Sequence, residues 1–183
     1  RPERVAGHSL GEYSALVMAG ALTFENALKL VSRRGQLMSE LGRGGMVATT
    51  LDLPSATALA DKYFCGIGAH NMPDQTVIAG ASADLDKLVA EMEAAKKRAV
   101  RLNTEGAFHT YLMVSAAEQF RPVLEQTEFA SLATDVVSNY TGKLHENSPD
   151  AIRSRLFFQL FSPVQWVACL NTAMDAGVDT VVE

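Results

Sequence analysis

The pentapeptide Gly7-His8-Ser9-Leu10-Gly11 has the residue types of a serine nucleophile held on a tight turn. It follows the apolar pair Val5-Ala6 and precedes an apolar run that ends near Ala19, so it predicts a strand–turn–helix junction. In such a turn the flanking residues must be small, and the serine hydroxyl projects at the head of the helix. The backbone N–H of Leu10 would then face the oxyanion that forms when the serine attacks a carbonyl.

Arg34 lies on the apolar face of the second predicted helix. We expect that helix to begin after the cap Thr23 and to end near Leu41. Its apolar stripe consists of Ala27, Leu30, Val31, Leu37, Met38 and Leu41. Arg34 falls inside this stripe, whereas Arg33 falls outside it. A guanidinium on the packed side costs several kcal/mol unless it meets an anion. An internal salt bridge with Asp or Glu would supply one, but the short separation from Ser9 favours a substrate carboxylate held bidentately.

Four histidines could supply the base that a serine nucleophile needs. His8 adjoins the serine, but successive residues of a tight turn point apart. His70 lies in a predicted small subdomain, and His145 lies in a polar loop, where we expect an exposed bystander. His109 follows a glycine at a strand-to-helix junction and is the favoured base, since a triad is defined by geometry and not by chain order. A purely structural histidine is the alternative, and no acidic third member of a triad is evident.

Composition excludes several classes of protein. The chain has 183 residues, of which 48% are hydrophobic, and a formal charge of −5. Nucleic acid is not an expected partner, because phosphate binding needs a clustered positive field. A membrane is not expected either, since no apolar stretch approaches the roughly 18 to 20 residues of a span. Cys65 and Cys169 lack CxxC spacing and the histidines are scattered, so we expect no metal site and a reducing compartment, the cytoplasm.

The order of predicted elements indicates an α/β fold with two parts. Between the first two helices and the return to His109, the pattern predicts a ferredoxin-like βαββαβ unit. Its predicted elements are strand Met46–Leu51, helix Pro54–Tyr63, strands Cys65–Ala69 and Thr76–Ala79, a helix from the cap Ser82 to about Ala95, and strand Arg98–Leu102. We expect this subdomain to span residues 44–104, inserted into a body with a parallel sheet formed by residues 1–43 and 105–183.

The return to the body has its own signals. His109 should open a helical turn, Ser115 and Glu118 should form a capping box, and Pro122 should kink the helix that follows. The remaining predicted elements are strand Asp135–Ser138, loop Asn139–Asn147, helix Asp150–Phe161, a last helix from Ser162-Pro163 to about Ala176, and the start of a strand at Asp179–Val182.

Five segments together carry a family resemblance. They are Gly7-His8-Ser9-Leu10-Gly11-Glu12-Tyr13-Ser14-Ala15-Leu16, Arg34-Gly35, Asn71-Met72-Pro73-Asp74-Gln75-Thr76-Val77-Ile78-Ala79-Gly80, Gly106-Ala107-Phe108-His109 and Ser162-Pro163-Val164-Gln165-Trp166. In this order they resemble the malonyl-CoA:acyl carrier protein transacylases and the equivalent acyltransferases of polyketide synthases. The resemblance covers nearly all of the chain. It implies an α/β-hydrolase-like body with a ferredoxin-like insert.

The resemblance also implies a mechanism and its residues. Ser9 would be the nucleophile of a Ser–His dyad and His109 its base, oriented by a backbone carbonyl instead of a carboxylate. Arg34 would bind the malonyl carboxylate, and the Leu10 amide would serve the oxyanion. Phe108 would read the α-carbon of the substrate, because an Ala-Phe-His segment accompanies malonyl in the polyketide relatives. The remaining substrate-binding candidates are His8 and Asn71.

The implied reaction is ping-pong acyl transfer with malonyl-CoA as substrate and an acyl carrier protein as partner. No cofactor is implied beyond the phosphopantetheine that the partner carries. Two other readings remain open: an acyl hydrolase of the same architecture, and a catalytically idle carrier-docking module. Family members begin upstream with a Gly-Gln-Gly segment and continue past a Gly-Pro-Gly turn. We therefore expect a fragment that lacks both family termini and is nearly inactive and prone to aggregate by itself.

Overall fold

The computed structural model describes residues 2–182, and its first elements form the predicted strand–turn–helix junction. Strand β1 (Arg4–Ala6) leads through a turn into helix α1 (Gly11–Met18), and helix α2 (Phe24–Leu41) follows. Gly20 ends α1 in the left-handed conformation at φ 77°, as expected for a residue just past a helix. The Thr23 hydroxyl accepts a hydrogen bond from Asn26 N, so the predicted cap of α2 is confirmed.

The inserted unit has the predicted βαββαβ order. Its elements are β2 (Gly45–Thr49), α3 (Leu53–Lys62), β3 (Gly66–Met72), β4 (Gln75–Gly80), α4 (Ser82–Ala94) and β5 (Ala99–Arg101). The four strands pair antiparallel in the order β3-β4-β2-β5, which is the ferredoxin-like topology. One detail is corrected: Ser82 is the first helical residue, and the preceding Ala81 is the cap position without a side-chain hydrogen bond.

The helix that follows His109 begins differently from the prediction. A 3₁₀ turn (Tyr111–Met113) runs directly into α5 (Val114–Gln126), so Ser115 lies inside the helix and the predicted capping box with Glu118 is wrong. The cap is Thr110, whose hydroxyl accepts a hydrogen bond from Leu112 N. Helix α5 continues without interruption through Pro122.

The last third of the chain also departs from the predicted pattern. Its elements are β6 (Asp135–Ser138), β7 (Lys143–Leu144), α6 (Pro149–Gln159) and α7 (Trp166–Asp175). The expected loop over residues 139–147 therefore contains a short strand. The last helix begins after Ser162-Pro163 because Val164 first pairs with a strand of the insert. The stretch Asp179–Val182 has no regular structure, so the strand expected there is wrong within the described residues.

Strand β1, which carries the turn, pairs in parallel with β6, and β7 pairs antiparallel with β6. The order of this sheet within residues 2–182 is β1-β6-β7. Helices α1 and α7 pack against this sheet. The apolar faces of α1, α2, α5 and α6 form the main core around Leu16, Leu30, Phe120 and Leu156. The α/β fold class with a ferredoxin-like insert is confirmed. An isolated β-bridge between Ala69 of β3 and Val164 connects the insert to the body. Its hydrogen bonds run from His70 N to Val164 O and from Val164 N to Gly68 O.

The division of the chain into two parts rests on these two sheets. Every strand of the four-stranded sheet falls between residues 44 and 104, and the strands of the other sheet fall outside that range. We therefore propose subdomain boundaries at residues 43/44 and 104/105. The junction between the parts is where the chain returns to the body, close to His109.

Candidate active site

The turn between β1 and α1 presents Ser9 in a strained backbone conformation. Ser9 has φ 52°, in the left-handed region that costs a residue other than glycine about 1–3 kcal/mol. A Cβ on Gly7 would lie 2.0 Å from the backbone carbonyl carbon and oxygen of Gly11, so no larger residue fits there. A Cβ on Gly11 would meet nothing within 4 Å. The sequence predicts small residues on both sides of the turn, but only the glycine at position 7 is required for steric reasons.

Ser9 and His109, 100 residues apart in the chain, lie in direct contact. Ser9 Oγ is 2.7 Å from His109 Nε2, and His109 Nδ1 is 2.8 Å from the backbone oxygen of Gln159. Because a carbonyl oxygen only accepts, His109 Nδ1 carries the proton and Nε2 is free to accept the hydroxyl proton of Ser9. The orienting group is thus a backbone carbonyl, and no acidic triad member takes this place within residues 2–182. His109 is only 5% exposed and has φ 63°, so both members of the pair have strained backbones.

The surroundings of His109 favour its neutral form. The pKa of His109 is lowered from the ordinary 6.5 to about 4, mainly by burial and in smaller part by the positive charge of Arg34. Burial acts because an imidazolium loses its hydration, and the arginine acts by charge repulsion. At neutral pH the imidazole is therefore unprotonated, which is the state that a general base requires.

Arg34 is 3% exposed and points at the same hydroxyl. Its Nη2 donates to Ser9 Oγ at 2.9 Å and to Gln159 Oε1 at 3.3 Å. Its Nε is buried without a hydrogen-bond partner, and the guanidinium carbon lies 5.8 Å from the centre of the Tyr13 ring. In the described part of the chain no Asp or Glu forms a salt bridge with Arg34. The predicted burial is confirmed, and the salt-bridge alternative is wrong for residues 2–182. Arg33, by contrast, is only half-buried.

The Leu10 amide stands at the head of α1. Leu10 is the helix cap residue, and the turn bonds run from Gly11 N to His8 O and from Glu12 N to Ser9 O. Within residues 2–182 the Leu10 amide donates to no protein acceptor. An N–H group at a helix N-terminus next to the serine is available for an oxyanion.

The remaining candidates lie where the insert meets the turn of residues 7–11, which we call the elbow. His8 Nε2 lies 2.9 Å from Asn71 Oδ1, which β3 contributes from 63 residues away. The His8 ring also contacts Trp166, with ring centres 5.4 Å apart. Phe108 is half-buried against the apolar cluster shared by the insert and the body, and its ring lies against Gly106. It adjoins His109 in the chain and packs against this cluster.

Sequence reasoning missed a buried polar group beneath the elbow. His145, expected to be an exposed bystander, is buried, and its Nε2 lies 2.6 Å from Glu12 Oε1. Glu12, Asn139 and Gln159 are also fully buried and hydrogen-bonded to one another. A signal was present for two of them. Glu12 is the charged residue on the buried face of α1, and Gln159 lies on the apolar stripe of α6.

In the described residues, a metal site, a membrane-spanning helix and a reactive thiol are each absent. Residues 2–182 contain no cluster of His, Cys, Asp and Glu side chains suited to hold a metal ion. Among the same residues, no helix combines the length and apolar character needed to cross a membrane. Burial raises the pKa of Cys65 to about 11 and that of Cys169 to about 12, so neither thiol is activated at neutral pH.

Comparison with known proteins places this chain among acyltransferases. The family model described as "Acyl transferase domain" matches residues 1–183. The malonyl CoA-acyl carrier protein transacylase of Bacillus subtilis (strain 168) is 36% identical over 193 residues, covering 100% of this chain and 60% of the relative. A polyketide biosynthesis protein of the same organism, PksE, is 36% identical over 184 residues, covering 97% of this chain and 24% of the relative.

A solved structure agrees with these relatives in fold. It contains a malonyl-transacylase in complex with its type II PKS acyl-carrier protein, and it superposes with a TM-score of 0.92 at 37% identity. The superposition covers 97% of this chain and 60% of that one. The chain thus spans about 60% of the length of the transacylases it matches.

Proposed function

The chain belongs to the acyl transferase domain family, and on that premise we propose that it transfers a malonyl group from coenzyme A to the phosphopantetheine thiol of an acyl carrier protein. The transfer would serve fatty acid or polyketide biosynthesis. The observation that carries the choice of substrate is Arg34, a buried cation without a carboxylate partner in residues 2–182, whose Nη2 lies 2.9 Å from the oxygen of Ser9.

The first half-reaction uses the Ser9–His109 contact. Ser9 Oγ attacks the thioester carbonyl while its proton passes to His109 Nε2 across the 2.7 Å hydrogen bond. The carbonyl oxygen becomes an oxyanion, for which the Leu10 amide supplies one donor. When the C–S bond breaks, His109 returns the proton to the departing CoA sulfur, and a malonyl ester remains on Ser9.

The second half-reaction reverses these roles. The phosphopantetheine thiol gives its proton to His109 Nε2 and attacks the ester carbonyl. The C–O bond to Ser9 breaks, and Ser9 Oγ recovers the proton from His109. No group outside the chain and its two substrates is needed for this balance, so we propose that the reaction uses no cofactor.

Arg34 supplies a reason to prefer malonyl transfer over acyl hydrolysis. A guanidinium that donates from Nη2 and has a free buried Nε can bind a carboxylate with two parallel hydrogen bonds. An enzyme that hydrolyses simple acyl chains has no carboxylate to place there and would retain a buried charge at a cost. His8 and Asn71 lie at the junction with the insert, where we propose that they line the substrate path.

Acyl-enzyme formation is the direct test. The intact protein containing this chain, mixed with malonyl-CoA and no carrier, should release one equivalent of CoA and carry one malonyl ester on Ser9. Intact-mass analysis should find no ester in Ser9→Ala and a full ester in the control Ser14→Ala, an exposed serine of the same helix. His109→Ala should load slower by about 10² to 10⁴. Continued CoA release without carrier would identify a hydrolase, and labelling of Ser9→Ala would place the nucleophile elsewhere.

A further inference from the structure

Glu12 is a fully buried carboxylate directly beneath the elbow. Its Oε2 accepts hydrogen bonds from Asn139 N at 3.0 Å, from Asn139 Nδ2, and from Gln159 Nε2 at 3.0 Å. Its Oε1 pairs with His145 Nε2 at 2.6 Å, where both side chains are fully buried. A buried carboxylate is tolerated only when its oxygens are satisfied in this way. We call Glu12, Asn139, His145 and Gln159 the sub-elbow network.

Gln159 connects this network to all three groups of the proposed reaction. Its side-chain Nε2 donates to the backbone oxygen of Ser9 at 3.2 Å, and its Oε1 accepts from Arg34 Nη2 at 3.3 Å. Its backbone oxygen accepts from His109 Nδ1 at 2.8 Å. The orientation of this single residue therefore affects the nucleophile's backbone, the cation and the base together.

The network also holds both sides of the strained turn. Asn139 Nδ2 donates to the backbone oxygen of Gly7 at 2.8 Å, and Gln159 Nε2 donates to that of Ser9. Ser9 at φ 52° persists in the left-handed region only if its surroundings fix it there. Glu12 bonds to both of these amide side chains at once, so it links the two hydrogen bonds that clamp the turn.

We propose that Glu12 is a positioning residue for catalysis: it fixes the Gln159 and Asn139 side chains, and through them the spacing of Ser9, His109 and Arg34. The role rests on the proposed function of Ser9 as nucleophile. Glu12 touches neither substrate nor the reacting oxygen, so its effect is indirect. A displacement of about 1 Å at a reacting group lowers the rate by roughly 10²-fold, which sets the expected size.

The test compares a substitution of Glu12 that can keep its hydrogen bonds with one that removes them. In Glu12→Gln the amide oxygen can still accept from Asn139 and Gln159, and the amide nitrogen can donate to His145 Nε2 in its other tautomer. In Glu12→Leu all of these bonds are lost. We expect Glu12→Leu to lower the rate constant of Ser9 acylation about 10²-fold and Glu12→Gln to stay within about tenfold of the wild type. Glu25→Leu, an exposed glutamate in the first turn of α2, is the matched control and should not change the rate.

The rate constant and the final amount of ester separate positioning from folding. A purely structural role would lower the fraction of protein that becomes acylated and leave the rate constant of the folded fraction unchanged. A positioning role lowers the rate constant while the ester still reaches one per chain. If Glu12→Leu does not fold, the rate constant of acylation in Gln159→Leu tests the positioning role instead. That substitution removes the side-chain hydrogen bonds of residue 159 but keeps the backbone carbonyl that orients His109.

A spectroscopic readout makes the inference independent of activity. The Nδ1 proton of His109 reports its hydrogen bond to Gln159 O, and its NMR signal should shift in Glu12→Leu and return towards the wild type in Glu12→Gln. If the wild type forms no ester, the proposed function fails and this signal alone decides the role of Glu12. If the wild type loads and Glu12→Leu shows an unchanged rate constant and an unchanged signal, the positioning role is wrong and the proposed function stands.

Discussion

Replacing Arg34 by alanine tests whether this residue selects the acyl group. Arg34 is 3% exposed, and its Nη2 lies 2.9 Å from Ser9 Oγ, so a malonyl carboxylate bound to it would be largely removed from water. In Arg34→Ala that carboxylate loses its partner. Breaking a buried ion pair by removing one side costs about 3–5 kcal/mol, which corresponds to a loss of roughly 150- to 5,000-fold in malonyl loading.

Acetyl loading should respond far less. Acetyl has no carboxylate, so the expected loss is limited to the charge-assisted hydrogen bond from Arg34 to Ser9 Oγ, which at about 1.5 kcal/mol corresponds to roughly tenfold. Arg34→Ala also removes a charge that lowers the pKa of His109, so that pKa should rise towards 6.5. Measuring at about pH 8 keeps the base neutral in both proteins and isolates the carboxylate effect.

The assay is competition between malonyl-CoA and acetyl-CoA, with the two esters on Ser9 quantified by intact mass. Arg33→Ala is the matched control, since it removes the same charge from the neighbouring half-buried position, where Nη1 donates to Gln36 Oε1. Arg34→Lys should restore malonyl loading only in part, because an ammonium group lacks the planar fork. Equal losses of malonyl and acetyl loading in Arg34→Ala would refute carboxylate binding and indicate a structural arginine.

Three further predictions concern the turn, the base and the α-carbon. Gly7→Ala should abolish loading and strongly destabilise the protein, because its Cβ would lie 2.0 Å from the Gly11 carbonyl. Gly11→Ala should keep activity and raise the melting temperature slightly. Equal effects of the two substitutions in thermal melts would contradict this prediction. The value of kcat/KM for loading should fall only as the pH drops through about 4, where His109 becomes protonated, and a midpoint near 6.5 would contradict its burial. Phe108→Ser should raise methylmalonyl over malonyl transfer by about tenfold or more if its ring limits the space near the α-carbon, and an unchanged ratio in competition would exclude that role.

The sequence alone determined the features that depend on residues close together in the chain, such as helix ends and the buried face of a helix. The capping hydroxyl of Thr23 and the left-handed Gly20 set helix ends because each acts on its own neighbours in the chain. The helical periodicity that placed Arg34 on a buried face holds for any helix with that sequence. The alternation of strands and helices likewise predicted the ferredoxin-like insert, with strand ends differing by a few residues.

Tertiary structure decided every relationship between distant segments. His145 lies in a stretch that looks polar and exposed, yet it is buried, with its backbone N–H bonded to Val136 O of β6 and its side chain paired with Glu12 of α1. The first turn after His109 is capped by Thr110, since the helix begins earlier than the pattern around Ser115 suggested.

The position of Gln159 is the clearest case of a feature that only the fold supplies. Its contacts with Ser9, Arg34 and Glu12 bridge separations of 150, 125 and 147 residues, and no local pattern encodes them. Sequence periodicity gives the direction of a side chain relative to its own helix. Which group that side chain meets depends on how helices from distant parts of the chain pack together, and that packing exists only in the folded protein.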